Sequence, residues 1–122
     1  MRLLHLVIGW SIVGAFGILW LWGLGTWIVR RGPGRYFWWV LAYVQATVLI
    51  QGLVGVILLV AGGRVPVLHY VYGVIFPVLV LLTAHVLARD AFSHRPWAPF
   101  ALAAFFSFGL TLRALMTGLG VG

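Results

Sequence analysis

"RVPVLHYVYGVIFPVLVLLTAHVLARD", residues Arg64 to Asp90, decides the fold. Between Arg64 and Arg89 no side chain carries a fixed charge, and Val, Leu, Ile, Phe and Tyr fill most positions. A hydrocarbon core of about 30 Å is crossed by about 20 apolar residues in a helix, so this stretch is long enough to span a bilayer. Three further runs of the same kind surround it, and the whole chain of 122 residues is 64% hydrophobic and 7% charged. Its mean hydropathy is +1.14. Such a composition lies outside that of soluble domains and marks a membrane protein.

The breaks between runs set the helices. A first helix is expected from about Leu3 to Val29, stopped by "RRGPGR", Arg30 to Arg35, where Gly and Pro break the helix and three arginines resist burial. A second is expected from about Tyr36 to Ala61, up to "GGRVP", and a third from about Val67 to Ala88 with Pro77 as an internal kink. After the polar "RDAFSHRP", Arg89 to Pro96, a fourth runs from about Pro99 to Met116, and "TGLGVG" reads as a frayed tail. The first run is about twice as long as a signal-peptide core and shows no small-x-small cleavage site, so it reads as a spanning helix. The expected fold is therefore all-α: one transmembrane domain over residues 1–122, an integral membrane four-helix bundle in up-down-up-down antiparallel order.

Several chemistries are excluded by composition. There is no cysteine, hence no disulfide, thiolate metal site or cysteine nucleophile, and the single acidic residue, Asp90, cannot form a carboxylate pair. The net charge of +7 comes from eight arginines near helix ends, which reads as anchoring at the membrane surface and gives no nucleic-acid partner. Arg30, Arg31, Arg35, Arg89 and Arg95 fall on one face of the bundle, and Arg2, Arg64 and Arg113 on the other. By the positive-inside rule the first face is cytoplasmic, so both termini lie outside. The use of arginine to the exclusion of lysine points to a GC-rich genome, a coding bias, and the expected location is the cell membrane of a prokaryote.

This topology brings two histidines to one depth. His5 begins the first helix and His69 the third, both near the outer face, and two facing imidazoles can hold an iron porphyrin through its two axial positions. "HLVIG" (His5 to Gly9) and "HYVYG" (Tyr70 within His69 to Gly73) share the pattern H-x-x-x-G, so each histidine has a glycine one turn deeper on its own face. There Gly9 and Gly73 would leave room for a flat macrocycle, with Gly52 and Gly55 of the second helix toward the same end; close helix packing is the plainer use of such glycines. Arg2, Arg64 and Arg113 are placed to pair with propionates, or to snorkel to headgroups.

His85 stands sixteen positions after His69, which at about 100° per residue points it about 160° away, so it is assigned to hydrogen bonding or a partner surface. His94 falls in a polar loop. Trp20, Trp22, Trp27, Trp38 and Trp39 form an aromatic belt at the cytoplasmic side, and Gln45 and Gln51 are expected in interhelical hydrogen bonds. Tyr70 and Tyr72 flank His69, where they serve a belt or line the edge of a haem or a quinone.

"VLIQGLVGVILLVAGGRVPVLHYVYG", Val48 to Gly73, resembles a helix pair in one four-helix half of haem A synthase, on Gln51, Gly52, Gly55 and His69, with His5 where that family has the ligand histidine of the preceding helix. The resemblance implies a bundle that ligates a b-type haem near its outer face. It stops short of haem A synthesis. Arg2 and Leu6 stand where the family has a glutamate before and an arginine after its first ligand, and its cysteine pair and second half have no counterpart. Small multidrug transporters match in size, but their membrane glutamate has no counterpart either.

The expectation is one haem b per chain, with His5 and His69 as iron ligands, passing electrons to or from quinol or a larger membrane redox complex. The missing family residues argue against an independent enzyme. Membrane lipids and a larger complex or homo-oligomer are the expected partners, and the alternative is a cofactor-free accessory subunit of a respiratory or photosynthetic complex.

Overall fold

The computed structural model describes residues 2–119, and among them the only regular structure is helical. Helix α1 spans Arg2–Val29, α2 spans Arg35–Val60, α3 spans Val67–Asp90 and α4 spans Trp97–Gly118. All four are long and apolar enough to cross a membrane. Threonines inside them return their hydroxyls to their own helix: Thr26 to Trp22 O, Thr83 to Leu79 O and Thr111 to Ser107 O. Each hydroxyl is thereby satisfied without water, as a bilayer interior requires.

Glycine and proline end the helices through identifiable bonds. After α2, Gly62 takes φ +100°, its N–H bonds Leu59 O and that of Gly63 bonds Leu58 O, the Schellman pattern that glycine permits. α1 ends instead on Arg30 at φ +62°, and the loop folds back so that Trp22 Nε1 donates to Pro33 O at 3.1 Å. α4 begins two residues before Pro99, where a ring without an N–H is tolerated in the first turn. The helix also runs on through Gly118, so the tail expected from Thr117 is in part helical; Gly120 to Gly122 lie outside the described residues.

Pro77 does not act as a simple kink. The five residues before Phe76, Val71–Ile75, form a π turn, in which Phe76 N–H reaches Val71 O. A proline clashes with the carbonyl four residues back, and a wider turn moves that carbonyl aside. Pro77 itself is among the most buried side chains of the protein. The π turn inserts about one residue into the helix and rotates everything after it by about 100°. His85, beyond this turn, bonds Gln45 of α2 and meets Phe100 of α4, in keeping with the hydrogen-bonding role expected for it.

The early residues of α1 and α3 meet the late residues of α2 and α4: His5 lies against Gln51 and Gly55, and His69 against Ala114. α1 and α4 approach closely where Gly23 faces Ala101, so that a Cβ on the glycine would clash with the alanine's. The core lies in the half away from His5 and His69. Phe16, Leu19, Phe37, Leu41, Val44, Leu81, Ala84, Phe100 and Ala104 interlock there, with Phe16, Leu19, Phe37 and Val44 fully enclosed. The tryptophans expected as a belt partly join this packing: Trp22 and Trp38 set edges against Phe37, and Trp20 packs on Phe105. Trp27, with Arg95 over its ring, and Trp39 are the most exposed of the five. At the other end no residue from Val67 to Ile75 is buried.

Candidate histidine site

His5 and His69 meet at that less densely packed end. Their ring centroids are 6.0 Å apart and the planes meet at 62°. α1 presents His5 one turn from its start, and the bond from Pro66 O to His69 N–H begins α3 immediately before the second ring. Both side chains are half-buried.

The bonding of His69 defines its tautomer. Its Nδ1 lies 2.7 Å from the carbonyl oxygen of Ala114, which can only accept, so Nδ1 carries the proton and in the neutral ring Nε2 carries the lone pair. The same carbonyl accepts from Thr117 Oγ1 at 2.9 Å. Gly73, one turn along α3, faces Ala114 with room for nothing larger than a methyl contact at 3.4 Å, and so brings α3 close enough to α4 for the imidazole to reach this carbonyl. On the other side of the ring, a Cβ on Gly118 would lie 2.8 Å from Cε1 and Nδ1. His69 is held between a carbonyl and a glycine of α4.

His5 is held by α2. Gln51 Nε2 donates to the His5 backbone carbonyl at 2.7 Å, and a Cβ on Gly55 would touch His5 Cε1 at 3.4 Å. Two polar atoms at this contact, His5 Nδ1 and Gln51 Oε1, are buried with no partner among the described residues.

The glycines expected to border a macrocycle have nearer occupants. A Cβ on Gly9 would meet Gln51 Nε2 at 3.3 Å, and Gly73 faces Ala114, so these two serve helix approach and side-chain reach; Gly52 has nothing within 4 Å. Of the three arginines, Arg113 lies with its guanidinium 6.0 Å from the Tyr72 ring, and Arg64 donates to Gly63 O at 2.9 Å and Leu59 O at 3.4 Å, closing the end of α2. Arg2 is exposed in the first turn of α1. Tyr70 sets its ring edge against His69 at 5.9 Å.

His85 lies apart from this pair. Its Nε2 donates to Gln45 Oε1 at 2.7 Å, and its ring meets Phe100 edge-on at 4.8 Å. Gln45 and Gln51 thus both make interhelical hydrogen bonds. His94 is exposed and stacked on Phe92.

Sequence reasoning did not single out the Ala114 carbonyl, Thr117 or Gly118. A backbone acceptor has no residue signature, and a fourth helix ended at Met116 leaves Gly118 outside the bundle. Among the described residues no group of three or more His, Asp or Glu side chains could hold a metal ion, so the chemistry available here is that of a histidine pair. No protein-family model, curated protein or solved structure matches the chain.

Proposed function

We propose that this chain is a multi-pass membrane cytochrome of the b type, an up-down-up-down bundle that binds one haem between His5 and His69. The observation that carries this reading is the 6.0 Å separation of two imidazoles delivered by different helices. Two imidazoles at this separation would be the residues to hold an iron porphyrin between them.

Ligand number supports haem over a bare ion. A structural zinc site takes four protein ligands and a catalytic one three, whereas a porphyrin supplies four nitrogens itself and asks the protein for two. The tautomer of His69 suits the role as well, because a ligating histidine characteristically donates its other nitrogen to a carbonyl or carboxylate. The unburied Val67–Ile75 segment, beside a core packed tightly at the opposite end, supports accommodation of a large group here. Arg2, Arg64 and Arg113 would supply positive charge for its propionates, and Arg113 adjoins Ala114, whose carbonyl accepts from His69.

Held by His5 and His69, a haem would supply one-electron exchange rather than oxygen binding. The residues of the chain hold the two rings, His5 through its backbone carbonyl on Gln51 and His69 through Nδ1 on Ala114 O. Quinol or a larger membrane redox complex is the electron partner on this reading, and the arginine-rich face carrying Arg30, Arg31, Arg35, Arg89 and Arg95 is cytoplasmic.

Absorption spectroscopy tests the proposal. Chain purified from membranes, or titrated with haemin in detergent, is expected to show a Soret band and, on reduction, a sharp α band, saturating at one haem per chain. A chain that remains colourless through the titration contradicts it and leaves the accessory-subunit reading.

A further inference from the structure

We propose that Gln51 is the positioning residue for His5: its Oε1 accepts the proton on His5 Nδ1 and so leaves Nε2 free to ligate. The inference rests on the haem reading for its purpose, but its geometry is that of the protein alone. Gln51 Nε2 is already committed to the backbone carbonyl of His5, which fixes the amide with Oε1 as its other end. That Oε1 is buried without a partner, and so is Nδ1 of the histidine the amide holds. A buried acceptor and a buried ring nitrogen left unpaired each carry a desolvation penalty, and pairing them removes both together. Gly55 lies against His5 Cε1 with no side chain of its own, and Gly9 receives the amide, so both partners have the space to turn toward each other.

The two histidines are then supported in different ways. His69 gives its Nδ1 proton to a main-chain carbonyl, which no substitution at Ala114 removes, whereas His5 depends on one side chain of α2. In both rings Nε2 is left as the nitrogen with the lone pair. Gln51 would therefore be the place where this site is tuned, because strengthening or removing its acceptor changes the basicity of one axial ligand only.

The test separates the acceptor oxygen from the amide tether. Histidine 15N NMR of the haem-free full chain in detergent is expected to show His5 as the Nδ1–H tautomer. Gln51→Leu should shift it to a mixture of tautomers. Gln51→Glu, which keeps an acceptor and loses the donor to the His5 carbonyl, should retain Nδ1–H. Haemin affinity should fall about tenfold or more in Gln51→Leu and much less in Gln51→Glu. An Nε2–H tautomer in the unsubstituted chain, or a Gln51→Glu chain that behaves like Gln51→Leu, overturns the assignment. Failure of the unsubstituted chain to bind haemin while the tautomer pattern holds contradicts the haem reading instead.

Discussion

Replacing His69 by alanine is expected to abolish haem binding, while replacing His85 by alanine leaves the spectrum of the bound haem unchanged. Both residues lie on α3 and both make a hydrogen bond to another helix, so the contrast depends on which ring nitrogen is committed. His69 spends Nδ1 on Ala114 O and keeps Nε2; His85 spends Nε2 on Gln45 and lies beside Phe100, away from the pair. Loss of an outer-shell partner alone weakens metal binding by about 10- to 100-fold, so loss of the ligand itself should exceed about 100-fold. His5→Ala should behave like His69→Ala in affinity, and whatever haem it retains should be five-coordinate. Haemin titrations of the three variants, read at the Soret band, check this; equal losses in His69→Ala and His85→Ala would show that the effect is one of folding.

The second large effect is on stability. Phe16→Ala should destabilise the bundle by roughly 2 kcal/mol or more, since the lost ring leaves a void of about 90–100 Å3 at about 24 cal/mol per Å3. Phe16 is fully enclosed among residues of all four helices. In lipid the helices gain little from hydrophobic transfer, because acyl chains are as apolar as leucine, so the missing contacts themselves carry the cost. Ile18→Ala on the same helix is the control: Ile18 is 57% exposed, and its removal should change stability by less than about 0.5 kcal/mol. Thermal or SDS unfolding of the two variants in detergent measures the difference, and similar shifts would mean that Phe16 is not at the packed centre.

The four helices were legible because their limits are written in residues that break helices. Gly62 at φ +100°, Gly34 at φ +79° and Pro96 stand where the runs were expected to stop, and the observed ends fall within two residues of the expected ones. The meeting of His5 and His69 was legible for a related reason, since short loops between helices of similar length bring the starts of α1 and α3 to one level. The π turn at Val71–Ile75 was not, because the proline that provokes it is equally compatible with a kink. The support of the rings was also hidden: Ala114 acts through its carbonyl, and Gly118 through the absence of a Cβ beside His69. Gln51 was visible as a polar residue in a long apolar helix, but only the two unpaired atoms at its contact with His5 give it a particular task.

The most direct measurement is electron paramagnetic resonance of the ferric protein at low temperature. Two imidazoles on one iron give a low-spin signal, so the purified haem-loaded chain is expected to be wholly low-spin, at one haem per chain, and to lose that signal in both His5→Ala and His69→Ala. A high-spin signal in the unsubstituted chain, or a low-spin signal that survives removal of either histidine, would contradict the paired ligation.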